Sequence, residues 1–308
     1  MAVEAKETLK FKPVALPCGG NGGGRLYTTN LFRGKCPHAC AYCYAAGFVN
    51  FSDGGPSPVS RDAIDHVKKW PRRLFLSSAS DPFHPVVVKL SEELLRAALA
   101  TGTFVVISTK ALATHEVVRI LSRCRGQVSY TVSLSSLSEE RNRLLEPNAP
   151  NARERLRGRW ENNALVLCGI EQIAQSGVHI TLKADSLFPD IDDTEQGISQ
   201  LLQEAKACGV QAVNFSYAFY RNRFKGRLKA IPLLQSSLAA MNESQPVASG
   251  TGLSLPLTEK RNRLSHMARI ASTIGYKVIS TCACKNRVRE IPGEIPMGVE
   301  CHFHDKWF

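Results

Sequence analysis

The chain has 308 residues, of which 44% are hydrophobic, enough to bury a core in one large α/β domain or two small ones. Its formal net charge of +12 indicates acidic partners and says nothing about the fold. The first 12 residues carry five charged side chains, and no long apolar run follows, which argues against a secretory signal and against a membrane span. We therefore expect a cytoplasmic protein without a membrane partner, whose clustered cysteines bind metal rather than form disulfides.

Residues 1–24 are predicted to form an N-terminal extension. Cys18 precedes a glycine-rich run at residues 19–24, which is too rich in glycine for a helix or a strand and predicts a loop. The run lacks the Lys-Ser/Thr ending and the preceding strand of a phosphate-binding loop. We interpret it as a segment whose backbone passes close to a cofactor or to another part of the chain.

Strands and helices alternate six times over residues 25–220. The predicted strands are residues 25–32, 73–78, 103–109, 127–133, 178–184 and 211–217. The predicted helices include residues 60–70, a helix capped by Ser91, a helix that begins at Thr114, and a helix that begins with Asp193 and Gln196. Short connections between such units predict a parallel sheet with helices outside it.

Residues 221–308 are predicted to be a C-terminal extension that contains a helical segment at 257–274 and a seventh strand at 276–281. The predicted architecture is thus a partial (β/α)6 parallel barrel with extensions at both ends.

Three cysteines follow the first predicted strand. Cys36, Cys40 and Cys43 are separated by three and then by two residues. Three thiolates in this spacing hold three irons of a [4Fe-4S] cluster and leave the fourth iron without a protein ligand, which suggests chemistry at the cluster. The alternative is a zinc site completed by His38, although a histidine inside the loop is not at a typical zinc spacing.

Polar residues gather where the predicted strands end. These ends are residues 77–81, Thr109 and Lys110, residues 133–136, residues 183–185, and Ser216 with Tyr217. A parallel barrel places its working residues at the carboxyl ends of its strands. Five successive polar ends therefore predict a site at this edge of the sheet.

The cysteine spacing, with Tyr42 directly before the third cysteine, is the signature of radical S-adenosylmethionine (SAM) enzymes, and the chain resembles them. Four further segments resemble the spore photoproduct lyase-like branch of that family, over about residues 25 to 220. The segments are residues 80–85, Thr109 with Lys110, residues 145–156 and residues 188–193.

The resemblance implies two cofactors, a [4Fe-4S] cluster on the three cysteines and SAM. It implies that SAM is cleaved to a 5′-deoxyadenosyl radical, which abstracts a hydrogen atom from the substrate. The residues expected to contact SAM are Tyr42, Ser78, Ser80, Lys110, Ser133 and Arg155. The residues expected to face the substrate are Tyr44, Asp81, His84, Asp185 and Tyr217, with Asp81 or His84 moving protons.

One departure from the family pattern concerns the hydrogen donor. Spore photoproduct lyase has a cysteine at the end of its second strand, where this chain has Ser77 and Ser78. A serine hydroxyl is a very poor hydrogen-atom donor to a carbon radical, which argues against DNA repair by that route. Cys124, Cys168 and Cys208 fall in or beside predicted helices and are interpreted as core residues.

The C-terminal extension contains a second group of cysteines. Cys282 and Cys284 form a CxC pair, and Cys301 follows 17 residues later. We predict that these three bind a second metal centre, with Cys18 the favoured fourth ligand and His302 or His304 the alternatives. The metal would be an auxiliary [4Fe-4S] cluster or zinc. The remaining alternatives are a zinc that only ties down the tail and thiols that bind nothing.

Three functions stay open at this point. The favoured one is maturation of a ribosomally made precursor peptide, for example by excision of a tyramine unit, with a small leader-binding partner protein. It would suit the terminal cysteines and two basic runs, six arginines within residues 141–159 and a second run at 221–229. The second is a lyase that repairs or modifies nucleic acid, and the third is a non-catalytic metal-binding scaffold. Either enzyme needs an external electron donor.

Overall fold

A computed structural model describes residues 9–13, 26–43, 45, 57–59, 62–77, 79–221, 225–247, 250–282 and 299–300. Seven parallel strands lie side by side in the order in which they occur along the chain. They are β1 (Leu26–Thr29), β2 (Arg73–Leu76), β3 (Phe104–Thr109), β4 (Val128–Ser133), β5 (Ile180–Leu187), β6 (Ala212–Tyr217) and β7 (Val278–Cys282).

Two short strands extend the edges of this sheet. Lys12–Pro13 pairs antiparallel with β1, and Val299–Glu300 pairs parallel with β7. Among the described strands the order is linear and the two edges do not meet, so the sheet is open. The predicted fold class, a partial α/β barrel, is confirmed.

Ten helices connect or flank the strands in the described ranges. They are α1 (Asp62–Asp65), α2 (Val88–Ala100), α3 (His115–Arg123), α4 (Glu139–Leu145), α5 (Ala152–Arg157), α6 (Ile170–Gln175), α7 (Glu195–Ala207), α8 (Lys225–Lys229), α9 (Gln235–Ala240) and α10 (Leu257–Ile274). Single 3-10 turns occur at Arg125–Gln127 and Pro232–Leu234. No helix in these ranges combines the length and apolarity needed to cross a bilayer.

The core lies between the sheet and the helices. In β3 buried and half-buried side chains alternate, and β4 is buried at five of its six positions, as expected for strands covered by helices. Helix α2 buries one face through Leu94, Leu95 and Leu99. This packing brings the carboxyl ends of neighbouring strands together at one edge of the sheet.

Three smaller β structures lie outside the parallel sheet. Arg159–Glu161 and Ala164–Leu167 form a hairpin, which turns at Asn162 and Asn163 with φ of +49° and +64°. Tyr220–Arg221, Gly250–Ser254 and Glu243–Val247 form a three-stranded antiparallel sheet, and Phe32–Arg33 pairs with Ser57–Pro58.

The predicted helix boundaries are partly confirmed. Thr114 caps α3 by accepting the N–H of Val117, and the helical segment predicted at 257–274 coincides with α10. The helix predicted at 60–70 is confirmed over Asp62–Asp65 and is wrong for residues 66–70, of which the last precedes Pro71, where a helical backbone is disfavoured. The division of the chain at residues 24 and 220 stays a prediction.

Two predicted N-caps are wrong. Ser91 lies inside α2, which begins at Val88, and its hydroxyl donates to the carbonyl of Pro82. Helix α7 is capped by Thr194 rather than by Asp193. The glycine-rich loop predicted at residues 19–24 lies outside the described residues.

Candidate active site at the cysteine loop

The cysteine loop follows β1 at the carboxyl edge of the sheet. Cys40 is buried, and Cys36 and Cys43 are half-buried. The N–H of Ala39 donates to the carbonyl of Cys36 at 3.1 Å, and the N–H of Cys43 donates to that of Cys40 at 3.2 Å. Gly34 and Ala39 adopt positive φ, at +92° and +53°. The backbone therefore makes two tight turns, which place three thiols in one short loop.

The donor set of this loop fits a cluster better than a single zinc ion. Within the described ranges, no three Cys, His, Asp or Glu side chains converge closely enough to bind one ion. Thiolates of a [4Fe-4S] cluster bind different irons and need not converge on one point. His38 has Nε2 at 3.0 Å from Asp81 Oδ2 and Nδ1 at 3.3 Å from the carbonyl oxygen of Asn148. Both ring nitrogens thus face other partners, which disfavours the zinc site.

Protonation of the thiols depends on their surroundings. Burial and, after it, the nearby Asp81 carboxylate raise the pKa of Cys36 to about 12. Burial also raises the pKa of Cys40 to about 11, although the Lys110 ammonium lowers it in part. A bound metal deprotonates its thiol ligands, so the iron of a cluster would supply the positive charge that this buried site needs to hold thiolates.

Asp81 joins the cysteine loop to the ends of two strands. Its carboxylate is 6% exposed, and burial alone would raise its pKa, but hydrogen bonds from His38, Thr109 and Lys110 hold that pKa well below the ordinary value. The five donors to this carboxylate are His38 Nε2, Thr109 Oγ1 and the backbone N–H groups of Phe83, Lys110 and Ala111. Both oxygens of the carboxylate thus have partners within the protein, and the substrate-facing, proton-moving role of Asp81 stays a prediction.

His84 lies beside this group. Its ring centroid is 5.2 Å from that of His38, and its Nδ1 accepts the N–H of Val86 at 3.3 Å. Burial and the neighbouring His38 lower the pKa of His84, which favours its neutral form. Among the described residues its Nε2 has no hydrogen-bond partner, and a substrate-facing role for His84 stays a prediction.

A second buried carboxylate, Glu146, anchors the other half of the loop. It is 2% exposed, accepts hydrogen bonds from the Tyr42 hydroxyl and the Arg155 guanidinium, and lies 3.5 Å from Arg141 Nη1. The N–H of Ala41 donates to the carbonyl of Leu145 at 2.8 Å, which brings α4 against the loop.

Two arginines complete this ion network. Arg155 donates to the carbonyl oxygens of Ser133 at 2.9 Å and Pro150 at 2.7 Å. Arg141 binds both oxygens of Asp192, at 2.9 and 2.8 Å. The guanidinium of Arg155 is therefore hydrogen-bonded inside the protein, and its contact with the carboxylate of SAM stays a prediction.

The electrostatics of this network are set by burial and by the arginines. Burial would raise the pKa of Glu146, but Arg155, Lys110 and Arg141 lower it to about 2. Burial and the Glu146 carboxylate raise the pKa of Tyr42 well above its ordinary value, so the phenol stays protonated and donates. Tyr42 thereby connects the third cysteine to a fixed charge.

Three of the predicted cofactor and substrate residues have contacts at the strand ends. Lys110 Nζ lies 5.6 Å from the centroid of the ring of Tyr42, which lies between Cys40 and Cys43 in the sequence. Ser133 Oγ lies 3.5 Å from Ser108 Oγ, and the Ser133 carbonyl accepts from Arg155, which also binds Glu146. Asp185 pairs with Lys183 at 2.9 Å; burial would raise its pKa, but Lys183 and Lys110 lower it. Lys110 is thus the strand-end group that these contacts place beside the cysteine loop.

The remaining predicted residues have other positions. Ser80 shares a hydrogen bond of 2.5 Å with Ser77. Tyr217 is 3% exposed, and its hydroxyl donates to Asp193 at 2.5 Å, just before the start of α7, so its substrate-facing role stays a prediction. Burial raises its pKa.

The structure describes only part of the predicted site. Tyr44, Ser78, Cys18, Cys284 and Cys301 lie outside the described residues, and only the backbone of Cys282, at the end of β7, is given. The second metal centre therefore stays a prediction. Arg141 and Asp192 carry no local signal in the sequence and were missed, as were the roles of His38, Thr109 and Glu146.

Proteins of similar sequence occur in a virus and in bacteria. An uncharacterized protein of Acidianus two-tailed virus is 24% identical over 228 residues, which cover 66% of this chain and 72% of that protein. Uncharacterized proteins of Mycobacterium bovis and Mycobacterium tuberculosis are 25% identical over 218 residues, which cover 65% of this chain and 61% of each relative.

Solved structures share the fold. Spore photoproduct lyase complexed with dinucleoside spore photoproduct has a TM-score of 0.63 at 16% identity, over 89% of this chain and 79% of that one. A variant of the lyase with bound AdoMet and the same dinucleoside has a TM-score of 0.62 at 14% identity, over 84% and 76%. The resemblance to this enzyme seen in the sequence is thus confirmed at the level of the fold.

The family is shown by a direct match to the sequence. The model of the Radical SAM superfamily matches residues 31–196, a stretch that includes the cysteine loop, Asp81, Lys110 and Glu146. This match covers more than half of the chain. The chain therefore belongs to the radical SAM superfamily, whose members use a [4Fe-4S] cluster and SAM.

Proposed function

We propose that this protein is a radical SAM enzyme that abstracts a hydrogen atom from a macromolecular substrate. When bound, the cluster supplies the electron that cleaves SAM to methionine and a 5′-deoxyadenosyl radical. The observation that carries the proposal is the convergence of Cys36, Cys40 and Cys43 with the polar strand ends at Lys110 and Ser133. A loop of three thiols with cationic and hydroxyl groups beside it suits a ligand that has a carboxylate and a ribose.

The residues around the loop have separate roles in this proposal. Lys110 holds the carboxylate of SAM by a charge-assisted hydrogen bond, Ser133 contacts its ribose, and Ser80 meets its amino group. Tyr42, fixed by Glu146, forms a wall of the SAM site. Asp185 and His84 face the substrate, where Asp185 is kept ionised by the two lysines near it.

A ribosomally made precursor peptide is the proposed substrate, and the reaction is lyase-like cleavage of a C–C or C–N bond. The net charge of +12 supports an acidic substrate. The sequence run at 221–229 has five basic residues and no acidic one, and Arg227 within it donates to the carbonyl of Ala39 at 3.0 Å. A basic segment thus reaches the cysteine loop. A small leader-binding protein and an external electron donor complete the proposed system, in the reducing cytoplasm.

Nucleic acid is the second candidate substrate, favoured by the fold shared with spore photoproduct lyase over 89% of the chain. The sequence places Ser77 and Ser78 where that enzyme has its hydrogen-donating cysteine, so a nucleic-acid reaction here would need a different donor. An acidic precursor gene beside this one would favour the peptide, and neighbouring repair genes would favour nucleic acid.

The test is SAM cleavage by the anaerobically reconstituted and reduced protein. We expect 5′-deoxyadenosine from the wild type and none after Cys36, Cys40 and Cys43 are all replaced by alanine. The matched control replaces Cys124, Cys168 and Cys208 and should keep the activity. Cleavage by the loop variant would contradict the proposal, and iron binding without cleavage in the wild type would favour a non-catalytic scaffold.

The second metal centre is part of this proposal. Strand β7 ends at Cys282, at the same edge of the sheet as the cysteine loop, which supports a centre built from Cys282, Cys284, Cys301 and Cys18 near the substrate entrance. With the three loop cysteines replaced, about four irons per chain should remain if this centre is a [4Fe-4S] cluster. Residual zinc would give it a structural role, and loss of both metals would contradict it.

A further inference from the structure

The side chain of Asp81 contacts three parts of the site at once. Oδ2 accepts from His38 at 3.0 Å, inside the cysteine loop, and from the backbone N–H of Lys110 at 2.7 Å. Oδ1 accepts from Thr109 at 2.7 Å, at the end of β3, and from the N–H of Phe83 at 2.9 Å. A single carboxylate therefore spans the loop, β3 and the segment that follows β2.

The charge of Asp81 lies next to the segment that carries the cluster ligands. Its Oδ2 is 3.0 Å from Nε2 of His38, which lies two residues after Cys36 and two before Cys40, and Asp81 is buried. Net charge is one of the features that set the reduction potential of an iron-sulfur cluster. Asp81 therefore supplies a buried charge beside the loop.

The other end of this arrangement is Lys110. Its backbone N–H and that of Ala111 are held by Asp81 at 2.7 and 3.2 Å, so the turn after β3 has one orientation relative to the loop. The Lys110 ammonium lies 5.6 Å from the centroid of the ring of Tyr42, which lies between Cys40 and Cys43 in the sequence. A shift of the carboxylate would move the lysine and the loop relative to each other.

We propose that Asp81, with His38, is a positioning pair that couples the strand end carrying Lys110 to the cluster loop, so that one carboxylate sets both the placement of SAM and the potential of the cluster. Metal sites commonly depend on such outer partners, whose loss costs about 10- to 100-fold in metal affinity or activity. This inference rests on the proposed function in placing a cluster on Cys36, Cys40 and Cys43 and SAM beside Lys110.

The competing explanation is that Asp81 only stabilises the fold. Glu92 on α2 provides a matched control, because it is also a buried carboxylate, 3% exposed, that accepts from a threonine hydroxyl, Thr114, at 2.6 Å. None of its hydrogen bonds given by the structure reaches the cysteine loop. A purely structural carboxylate should therefore behave like Glu92 in every measurement.

The experiment compares Asp81→Asn with Glu92→Gln in reconstituted protein. Three quantities are measured: the rate of iron loss to a chelator, the midpoint potential of the cluster by EPR titration, and the dissociation constant for SAM. For Asp81→Asn we expect iron loss about tenfold faster, SAM binding about tenfold weaker and a more positive potential, because a negative charge beside the cluster is lost. Glu92→Gln should leave all three quantities at the wild-type values.

Two further variants test separately the contact of Asp81 with β3 and its contact with the cysteine loop. Thr109→Val leaves the Asp81 carboxylate charged and should weaken SAM binding with little change in the cluster potential. His38→Gln should speed iron loss more than it weakens SAM binding. These two variants decide the question if Asp81→Asn takes up no iron. Wild-type values of iron loss and potential in Asp81→Asn would overturn the proposal, as would wild-type SAM binding in Thr109→Val together with wild-type iron loss in His38→Gln. Absence of SAM cleavage by the wild type would instead contradict the proposed function, because none of these measurements requires turnover.

Discussion

The two halves of the cysteine loop are held by carboxylates of different kinds. Asp81, on the Cys36 side, accepts from backbone N–H groups, a hydroxyl and an imidazole. Glu146, on the Cys40 and Cys43 side, is surrounded by two guanidinium groups and a phenol. Removal of one member of a buried ion network leaves the others uncompensated, whereas a hydrogen-bonded turn can relax locally. The Glu146 half should therefore govern stability, and the Asp81 half should govern the properties of the site.

The largest expected effect follows from breaking the Glu146 half. Arg155→Met removes one partner of a fully buried carboxylate and should lower the free energy of unfolding by about 3–5 kcal/mol. Urea unfolding of the metal-free protein measures this. Arg157→Met, on the same helix but in partly exposed ion pairs, is the control and should cost less than about 1 kcal/mol. Equal losses in the two variants would contradict the distinction between the halves.

A pH series tests the contribution of Glu146 to the free energy of unfolding. The pKa of Glu146 is lowered from 4.5 to about 2 in the folded protein, so its contribution to stability is complete above pH 4.5 and is lost as the pH falls toward 2. This contribution is on the order of 3 kcal/mol. Glu146→Gln should be less stable than the wild type at pH 7 and should lose less stability between pH 5 and 2. Parallel stability curves for the two proteins would show that Glu146 does not have this role.

In the Asp81 half, Lys110→Met should change SAM binding but not folding. Loss of a charge-assisted hydrogen bond should weaken SAM binding about tenfold or more, with unchanged iron content. Equilibrium binding of SAM and iron analysis give the two quantities. Lys89→Met, an exposed lysine on α2, is the control. A liganded structure with Lys110 directed away from SAM would refute this assignment.

The smallest expected effect is that of Ser133→Ala. A neutral hydrogen bond contributes about 1 kcal/mol, so the dissociation constant for SAM should rise about fivefold. Ser122→Ala, on the surface of α3, should leave it unchanged. No difference between the two serine variants would remove Ser133 from the SAM site.

The sheet could be predicted because its signals are local. All seven parallel strands were found from β-branched runs that end in polar residues, with boundaries within about three residues. The N-caps were predicted less accurately than the strands, because the side chain that caps a helix depends on hydrogen-bond partners that are distant in the sequence. Asp193 was expected to cap α7, but its carboxylate accepts from Tyr217 and Arg263 instead, so Thr194 takes its place.

In the site, too, the local features were predicted and the contacts between distant residues were not. The three cysteines lie within eight residues, and their spacing alone predicts the cluster loop. The contacts that hold the loop could not be predicted from spacing, because their partners are distant in the sequence. His38 and Asp81 are 43 residues apart, and Tyr42 and Glu146 are 104 apart. The roles predicted for Asp81 toward the substrate and for Arg155 toward SAM stay predictions. The sequence shows the residue type, and the structure adds that both side chains are buried and hydrogen-bonded within the protein.

The contact between Arg227 and the carbonyl of Ala39 has a consequence for biosynthesis. The third cysteine, Cys43, leaves the ribosome 184 residues before Arg227 does, an interval on the order of 10 to 40 s at ordinary elongation rates. Over that interval the three thiols emerge first, Asp81 and Glu146 follow in turn, and the arginine arrives last. The loop that would hold the cluster therefore acquires its complete set of contacts late in translation, so its cysteines must stay reduced on the nascent chain before iron is delivered.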